Sequence, residues 1–177
     1  TSDLGPIIDA DQLSMLQAHA TRLDSSGQCV AQAPMPDDLP PGHWFAPRAF
    51  LIDSVTELGE EIFGPVLHIV KYCANDLDEL IDQINATGYG LTLGIHSRID
   101  LTQDHIARRT CVGNCYVNRN MTGAVVGVQP FGGEGLSGTG PKAGGPNYLY
   151  RFAAERVRTT NTAAVGGNAS LLALSDE

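Results

Sequence analysis

The order of strand, helix and strand between residues 65 and 97 constrains the fold more than any other feature of the sequence. The run PVLHIVKY at 65–72 is apolar and rich in β-branched residues, as in a strand buried on both faces. The next segment, DLDELIDQINATGYG, repeats apolar residues at helical spacing, and LTLGIHS follows it as a second strand. Strands that alternate with helices predict βαβ units and a largely parallel sheet.

The same alternation extends over most of the chain. In DADQLSMLQAHATRL, apolar residues share one helix face and Asp9 is the predicted N-cap. Asp76 and Glu79 predict a capping box for the helix after residue 76. The remaining predicted elements are strands in QCVAQA, WFAPRAFLID, GNCYVN and VRTTNTA and helices in DLTQDHIARR and PNYLYRFAAER.

Composition excludes several classes of partner. The 177 residues carry a net charge of -9 without a block of Lys or Arg, which argues against nucleic acid. No apolar run approaches the roughly 20 residues of a transmembrane helix. The opening TSDLGPIIDADQ has no signal-peptide pattern, so we expect a cytoplasmic protein, and the missing initial Met suggests a piece of a longer polypeptide.

The cysteines and histidines form no recognisable catalytic or metal site. The four cysteines are dispersed, and the Cys111-x3-Cys115 spacing without a nearby His is poor for zinc. Cys29 has no basic neighbour closer than Arg22 to activate its thiol. The five histidines occur singly. We therefore expect reduced structural thiols and no metal.

The run MTGAVVGVQPFGGEGLSGTGPKAGGP at 121–146 holds nine of the 20 glycines. Because glycine is costly to order, such a run indicates backbone that must approach something closely. Gly133, Gly135 and Gly138 match the GxGxxG dinucleotide pattern. That motif needs a following helix at the phosphates, whereas here Glu134 adds negative charge and prolines follow. A phosphate cradle is therefore not expected.

Three segments together resemble the catalytic half of the aldehyde dehydrogenase superfamily: EEIFGPV at 60–66, YGLTLGIHS at 89–97 and GNCYVNRNMTGAVVGVQPFGG at 113–133. The glycine-rich run resembles the narrower glutamate semialdehyde (1-pyrroline-5-carboxylate) dehydrogenases. The closing NTAAVGGNASLL resembles the bifunctional bacterial proline-utilization family. The resemblance implies an open, largely parallel twisted α/β sheet flanked by helices. Residues 1–153 would be a partial catalytic domain and 154–177 an oligomerisation strand and tail.

The resemblance also implies functions for individual residues. Glu61 would accept hydrogen bonds from the nicotinamide ribose of NAD, and Phe63 would pack near the nicotinamide ring. In the glycine-rich run, the backbone N–H groups of Gly123 and Ala124 would bind the substrate carboxylate. Phe131 would cover the carbon chain of the substrate, L-glutamate γ-semialdehyde.

The implied reaction is oxidation of an aldehyde to a carboxylate, with a cysteine thiolate as nucleophile and a Glu as general base. In the superfamily both groups precede the DLGPII segment, so no catalytic residue is assigned here and the chain alone is expected to be inactive. FAD would belong only to a proline dehydrogenase domain upstream in a parent polypeptide.

The resemblance further predicts assembly through the C-terminus. Val157, Thr159 and Asn161 would form a strand that pairs with another subunit of a homo-oligomer, and Leu171 and Leu172 would dock the tail. Two alternatives stay open at this point. One is an aldehyde dehydrogenase with a different substrate, and the other is a non-catalytic assembly module of the same fold.

Overall fold

A computed structural model describes residues 4–123, 125–138 and 140–161. Within these ranges the chain forms three α-helices and seven strands. In chain order they are α1 (Ala10–Ser25), β1 (Cys29–Gln32), β2 (Arg48–Ile52), β3 (Val66–Val70), α2 (Leu77–Ala86), β4 (Tyr89–Gly90), β5 (Thr92–Ile95), α3 (Asp100–Arg109), β6 (Asn114–Val117) and β7 (Glu134–Gly135). Short 3₁₀ turns lie at Val55–Glu57, Ala74–Asp76 and Tyr148–Phe152.

The strands of the described residues form three sheets. Strand β2 lies between β1, to which it is antiparallel, and β3, to which it is parallel with Phe50 opposite His68. Strands β5 and β6 are parallel, with Leu93 opposite Cys115, and α3 connects them as a βαβ unit. Strands β4 and β7 form a short antiparallel pair. The predicted α/β class is confirmed, and the parallel pairing is divided between two ladders.

Helix α1 builds the main core against the β1–β2–β3 sheet. The Asp9 carboxylate accepts a hydrogen bond of 2.8 Å from the Gln12 backbone N–H, which confirms the predicted N-cap. The apolar face of α1 packs on β2, and the buried members of this core are Leu16, Ala20, Leu23, Phe45, Phe50 and Ile52. The sequence pattern therefore identified the correct face of the helix.

Three sequence predictions differ from the structure. Strand β3 is covered mainly on the face that carries His68, where α1 packs, and Leu67 on the opposite face is 59% exposed. Asp76 makes no side-chain capping bond, because a 3₁₀ turn already leads the chain into α2. The helix predicted at 146–156 is only the 3₁₀ turn Tyr148–Phe152.

The predicted strand at 157–163 falls partly outside the described residues. Its described part, 157–161, is exposed and forms no ladder with other described residues. Among the described helices, none is long and apolar enough to cross a bilayer.

A pair of histidines bridges α1 and β3 at the edge of this core. The Nε2 atoms of His19 and His68 lie 2.8 Å apart, and His19 is 8% exposed. Such a contact needs an N–H on one ring and a lone pair on the other, so at least one ring is neutral. Burial lowers the pKa of both histidines, and the Arg22 guanidinium lowers it further. Glu60 opposes this for His19, while the His19 ring adds to the lowering for His68.

We predict that the histidine pair makes the chain less stable as the pH falls below about 6.5, the ordinary histidine pKa. Both folded-state pKa values are lowered, so the stabilisation is complete above that pH and is lost as the unfolded state takes up protons first. Urea unfolding between pH 7.5 and 5.5 should show a smaller loss for His68→Gln than for the wild type. The exposed His96→Gln variant is the control. An equal loss in His68→Gln and wild type would contradict the prediction.

Candidate functional site

The turn at residues 58–64 follows a capping box that holds the backbone before it. The Glu57 carboxylate accepts backbone N–H bonds from Asp53 at 2.7 Å and from Ser54 at 3.0 Å. The hydrogen bond from Ser54, and after it the one from Asp53, lowers the pKa of Glu57. The Ser54 side chain accepts in return from the N–H of Thr56 at 3.2 Å. The turn that carries Glu61 and Phe63 is therefore ordered from its N-terminal side.

Helix α1 fixes the other end of the same turn. The Gln12 side-chain amide donates a hydrogen bond of 2.7 Å to the Phe63 carbonyl. A Cβ atom at Gly64 would lie 2.6 Å from both terminal methyl carbons of Leu16, so the backbone at Gly64 packs directly on α1. The turn is thus held between the capping box and the helix.

Glu61 and Phe63 lie on this turn but line two adjacent grooves. Glu61 is exposed and lines a groove of about 690 Å³, together with the end of α2, residues 89–93 and Ser137. Phe63 is 70% exposed and lines a groove of about 580 Å³ against α1. Leu58, Glu60 and Ile62 border both grooves. The turn therefore offers a carboxylate acceptor and an accessible aromatic ring at neighbouring sites.

The first part of the glycine-rich run follows β6. Gly123 has φ of +93°, and a Cβ atom there would meet no atom within 4 Å. Glycine is thus required by the left-handed backbone and not by crowding. The Tyr116 hydroxyl donates a long hydrogen bond of 3.3 Å to the Gly123 carbonyl, and the Arg119 guanidinium lies 4.7 Å from the centre of the Tyr116 ring. Ala124 lies outside the described residues.

Phe131 is half-buried on a segment that is bonded on both sides. Its N–H donates to the Ala143 carbonyl at 3.0 Å, and the Ala143 N–H donates back at 2.9 Å. The Asn114 side chain, from the first residue of β6, bonds the backbone of Pro130 and Gly132. Phe131 and Gly123 line neither of the two grooves described above.

The later part of the run ties to the end of α2. The Leu136 N–H donates to the Gly88 carbonyl at 2.9 Å, and the Gly90 N–H donates to the Ser137 hydroxyl at 3.0 Å. Ser137 also lines the groove that contains Glu61, so this groove lies between the 58–64 turn and the glycine-rich run. The GxGxxG segment forms β7 and a turn and does not open a helix.

No metal centre emerges from the described residues. They contain no cluster of three or more His, Cys, Asp or Glu side chains able to hold a metal ion. Burial raises the pKa of the Cys115 thiol, which lowers its thiolate fraction at neutral pH. The other three cysteines, Cys29, Cys73 and Cys111, are free and exposed.

Sequence reasoning missed Asn114 and the adjacent Gly113. A Cβ atom at Gly113 would lie 1.8 Å from the Gly132 carbonyl oxygen, so β6 and the glycine-rich run are in backbone contact there. One signal was available, since asparagine is depleted in strands and its presence at the start of a predicted strand needs a reason.

Comparison with known proteins gives one family. The model of the aldehyde dehydrogenase family matches residues 1–157. The bifunctional protein PutA of Escherichia coli (strain K12) is 54% identical over 161 residues, covering 88% of this chain and 12% of that protein. The 1-pyrroline-5-carboxylate dehydrogenase 1 of Halalkalibacterium halodurans is 38% identical over 148 residues, covering 82% and 28% respectively. The chain thus spans less than a third of either relative.

Solved structures agree with these relatives. A crystal structure of proline utilization A from Bradyrhizobium japonicum superposes with a TM-score of 0.83 at 52% identity, covering 92% of this chain and 16% of that one. A 1-pyrroline-5-carboxylate dehydrogenase from Thermus with bound NAD gives a TM-score of 0.73 at 38% identity, covering 85% and 29%. The chain belongs to the aldehyde dehydrogenase family.

Proposed function

We propose that the chain is part of an NAD-dependent dehydrogenase that oxidises L-glutamate γ-semialdehyde to L-glutamate in bacterial proline catabolism. The observation that carries this proposal is the part of the glycine-rich run from Gly123 to Phe131, which is hydrogen-bonded to side chains of β6. The chain that carries it belongs to the aldehyde dehydrogenase family. Relatives that share 37–38% identity are named 1-pyrroline-5-carboxylate dehydrogenases, which supports the substrate class.

The substrate is held by its far end in this proposal. The N–H groups at Gly123 and Ala124 bind the carboxylate, and the left-handed backbone at Gly123 lets the main chain approach an anion without a side chain in the way. Phe131 covers the aliphatic carbons between the carboxylate and the aldehyde. Two hydrogen bonds with Ala143 hold the backbone that carries this half-buried ring.

The exposed side chains of the 58–64 turn fit part of a dinucleotide site. The Glu61 carboxylate offers two acceptor oxygens for ribose hydroxyls, and the exposed Phe63 ring offers an apolar edge to the nicotinamide. When bound, NAD supplies the acceptor for the hydride that leaves the substrate. The capping box and Gln12 orient the turn for this contact.

The nucleophilic cysteine and the general base belong to other parts of the enzyme in this proposal. We assign no catalytic residue to the chain and expect it to form no NADH from aldehydes by itself. A FAD-dependent proline dehydrogenase domain precedes the dehydrogenase in the proposed parent. Residues 154–161, which are exposed, fit a strand that pairs with a second subunit of a cytoplasmic homo-oligomer. Leu171 and Leu172, proposed to dock the tail, lie outside the described residues.

The test uses the whole dehydrogenase that contains this chain, with NADH formation as readout. We expect kcat/KM for L-glutamate γ-semialdehyde to exceed that for succinic semialdehyde by about 100-fold, because the comparator is one carbon shorter and its carboxylate cannot reach Gly123 and Ala124 while its aldehyde is in place. Gly123→Val should lower kcat/KM for L-glutamate γ-semialdehyde about tenfold, since a β-branched residue disfavours the positive φ found at this position. Gly5→Val, at an exposed position with open space, is the control.

Two outcomes would contradict the proposal. Equal kcat/KM for the two aldehydes would contradict the proposed substrate and would favour an aldehyde dehydrogenase of another specificity. An intact whole protein that oxidises no aldehyde would favour the assembly module instead.

A further inference from the structure

Asn114 contacts the glycine-rich run on both sides of Phe131. Its Nδ2 atom donates a hydrogen bond of 2.9 Å to the Pro130 carbonyl, and its Oδ1 atom accepts one of 3.1 Å from the Gly132 N–H. The carbonyl can only accept and the N–H can only donate, so these partners fix the orientation of the amide. A single side chain therefore holds the positions of the peptide groups on both sides of Phe131.

The surrounding contacts make this clamp rigid. Asn114 is half-buried and begins β6, whose partner β5 pairs with it from Thr92 onward. Its neighbour Gly113 is in backbone contact with Gly132. Phe131 is bonded on its opposite side to Ala143 in both directions. The segment 130–132 therefore lies between β6 and residue 143, and Asn114 provides the side-chain bonds on the β6 side.

We propose that Asn114 is a positioning residue that sets substrate preference by holding Phe131 over the carbon chain of the aldehyde. The inference rests on the proposed function and adds a residue that acts through Phe131 without touching the substrate. A displacement of about 1 Å in a positioning group can cost on the order of 100-fold in rate. Asn114 acts on the peptide groups on both sides of Phe131, where such a displacement would arise.

Asn85 offers a matched control within the same chain. Its Nδ2 atom donates a hydrogen bond of 2.8 Å to the Arg109 carbonyl, and its Oδ1 atom accepts one of 2.9 Å from the Cys111 N–H. It thus brackets Thr110 as Asn114 brackets Phe131, and it is half-buried too. Replacing either asparagine by alanine removes the same two kinds of bond, but only one of them borders the glycine-rich run.

The experiment compares Asn114→Ala and Asn85→Ala in the whole dehydrogenase. For Asn114→Ala we expect KM for L-glutamate γ-semialdehyde to rise and its kcat/KM to fall about tenfold, less than the loss of rate that a full 1 Å displacement can cause. The kcat/KM for acetaldehyde, which has a single carbon beyond the aldehyde and so lacks the chain that Phe131 would cover, should stay within about twofold. Asn85→Ala should lower the thermal midpoint about as much as Asn114→Ala does. It should leave the ratio of kcat/KM for the two aldehydes unchanged.

Asn114→Asp covers the case in which Asn114→Ala does not fold. The carboxylate keeps the acceptor for the Gly132 N–H but loses the donor to the Pro130 carbonyl, so KM for the glutamate compound should rise while the fold is kept. An unchanged aldehyde ratio in folded Asn114 variants, with the wild type still preferring the glutamate compound, would overturn this inference alone. A wild type without that preference would overturn both the proposed function and the inference.

Discussion

Replacing Gly113 by alanine is expected to destabilise the chain by about 3 kcal/mol and to displace the segment that carries Phe131. The added Cβ would lie 1.8 Å from the Gly132 carbonyl oxygen and 2.7 Å from its carbon, which are both backbone atoms. The Lys142 ammonium, also 2.7 Å away, can move, but the carbonyl cannot move without shifting the clamp made by Asn114. Overpacking in well-packed sites costs about 1–3 kcal/mol, and direct overlap with backbone lies at the top of that range.

The opposing effect of Gly113→Ala is smaller. Alanine narrows the unfolded ensemble and so stabilises a protein by about 0.4–1 kcal/mol where the native backbone accepts it. Steric overlap therefore decides the sign. Gly5→Ala, where a Cβ would meet nothing within 4 Å, isolates the entropic gain and should be neutral or slightly stabilising.

Urea unfolding of both variants checks the prediction for Gly113. In the whole dehydrogenase, Gly113→Ala should also raise KM for the glutamate compound, whereas Gly5→Ala should not. A Gly113→Ala variant as stable as Gly5→Ala would show that β6 and the glycine-rich run are further apart than the structure has them.

Helices α1, α2 and α3 were predictable because their signals are local. The apolar face of α1 and the Asp9 cap depend on residues within a few turns of one another, and both are found in the structure. The cap predicted at Asp76 failed because a preceding 3₁₀ turn replaced the assumed extended entry into α2. The prediction that both faces of β3 are buried was wrong. Hydrophobicity indicates what a strand can bury and not which neighbours cover it.

The candidate site was predictable only in part. The segments around Glu61 and Gly123 stood out through composition and resemblance. The functions of Asn114 and Ser137 depend on which strand lies beside which loop, and this long-range register is set by the packing of the whole chain. A strand asparagine is a weak hint by itself, and it becomes informative once Pro130 and Gly132 are seen beside it.

Replacing Phe50 by alanine is expected to cost about 3–5 kcal/mol, the range for a phenylalanine removed from a core. Phe50 is 0% exposed on the central strand β2 and packs against α1. Its ring also stacks on His68 at a centroid distance of 6.3 Å and meets the edge of His19 at the same distance. The variant would thus lose the apolar contacts and leave a cavity beside the histidine pair.

Phe63→Ala separates this core function from the proposed binding function. The two phenylalanines lose the same atoms, but Phe63 is 70% exposed and its removal should change the free energy of unfolding by less than about 0.5 kcal/mol. In the whole dehydrogenase, Phe63→Ala should instead slow NADH formation, because the ring is proposed to restrain the nicotinamide. Urea unfolding and NADH assays of both variants test this division. If Phe63→Ala destabilised the chain as strongly as Phe50→Ala, its ring would belong to the core, and the proposed cofactor contact would lose its support.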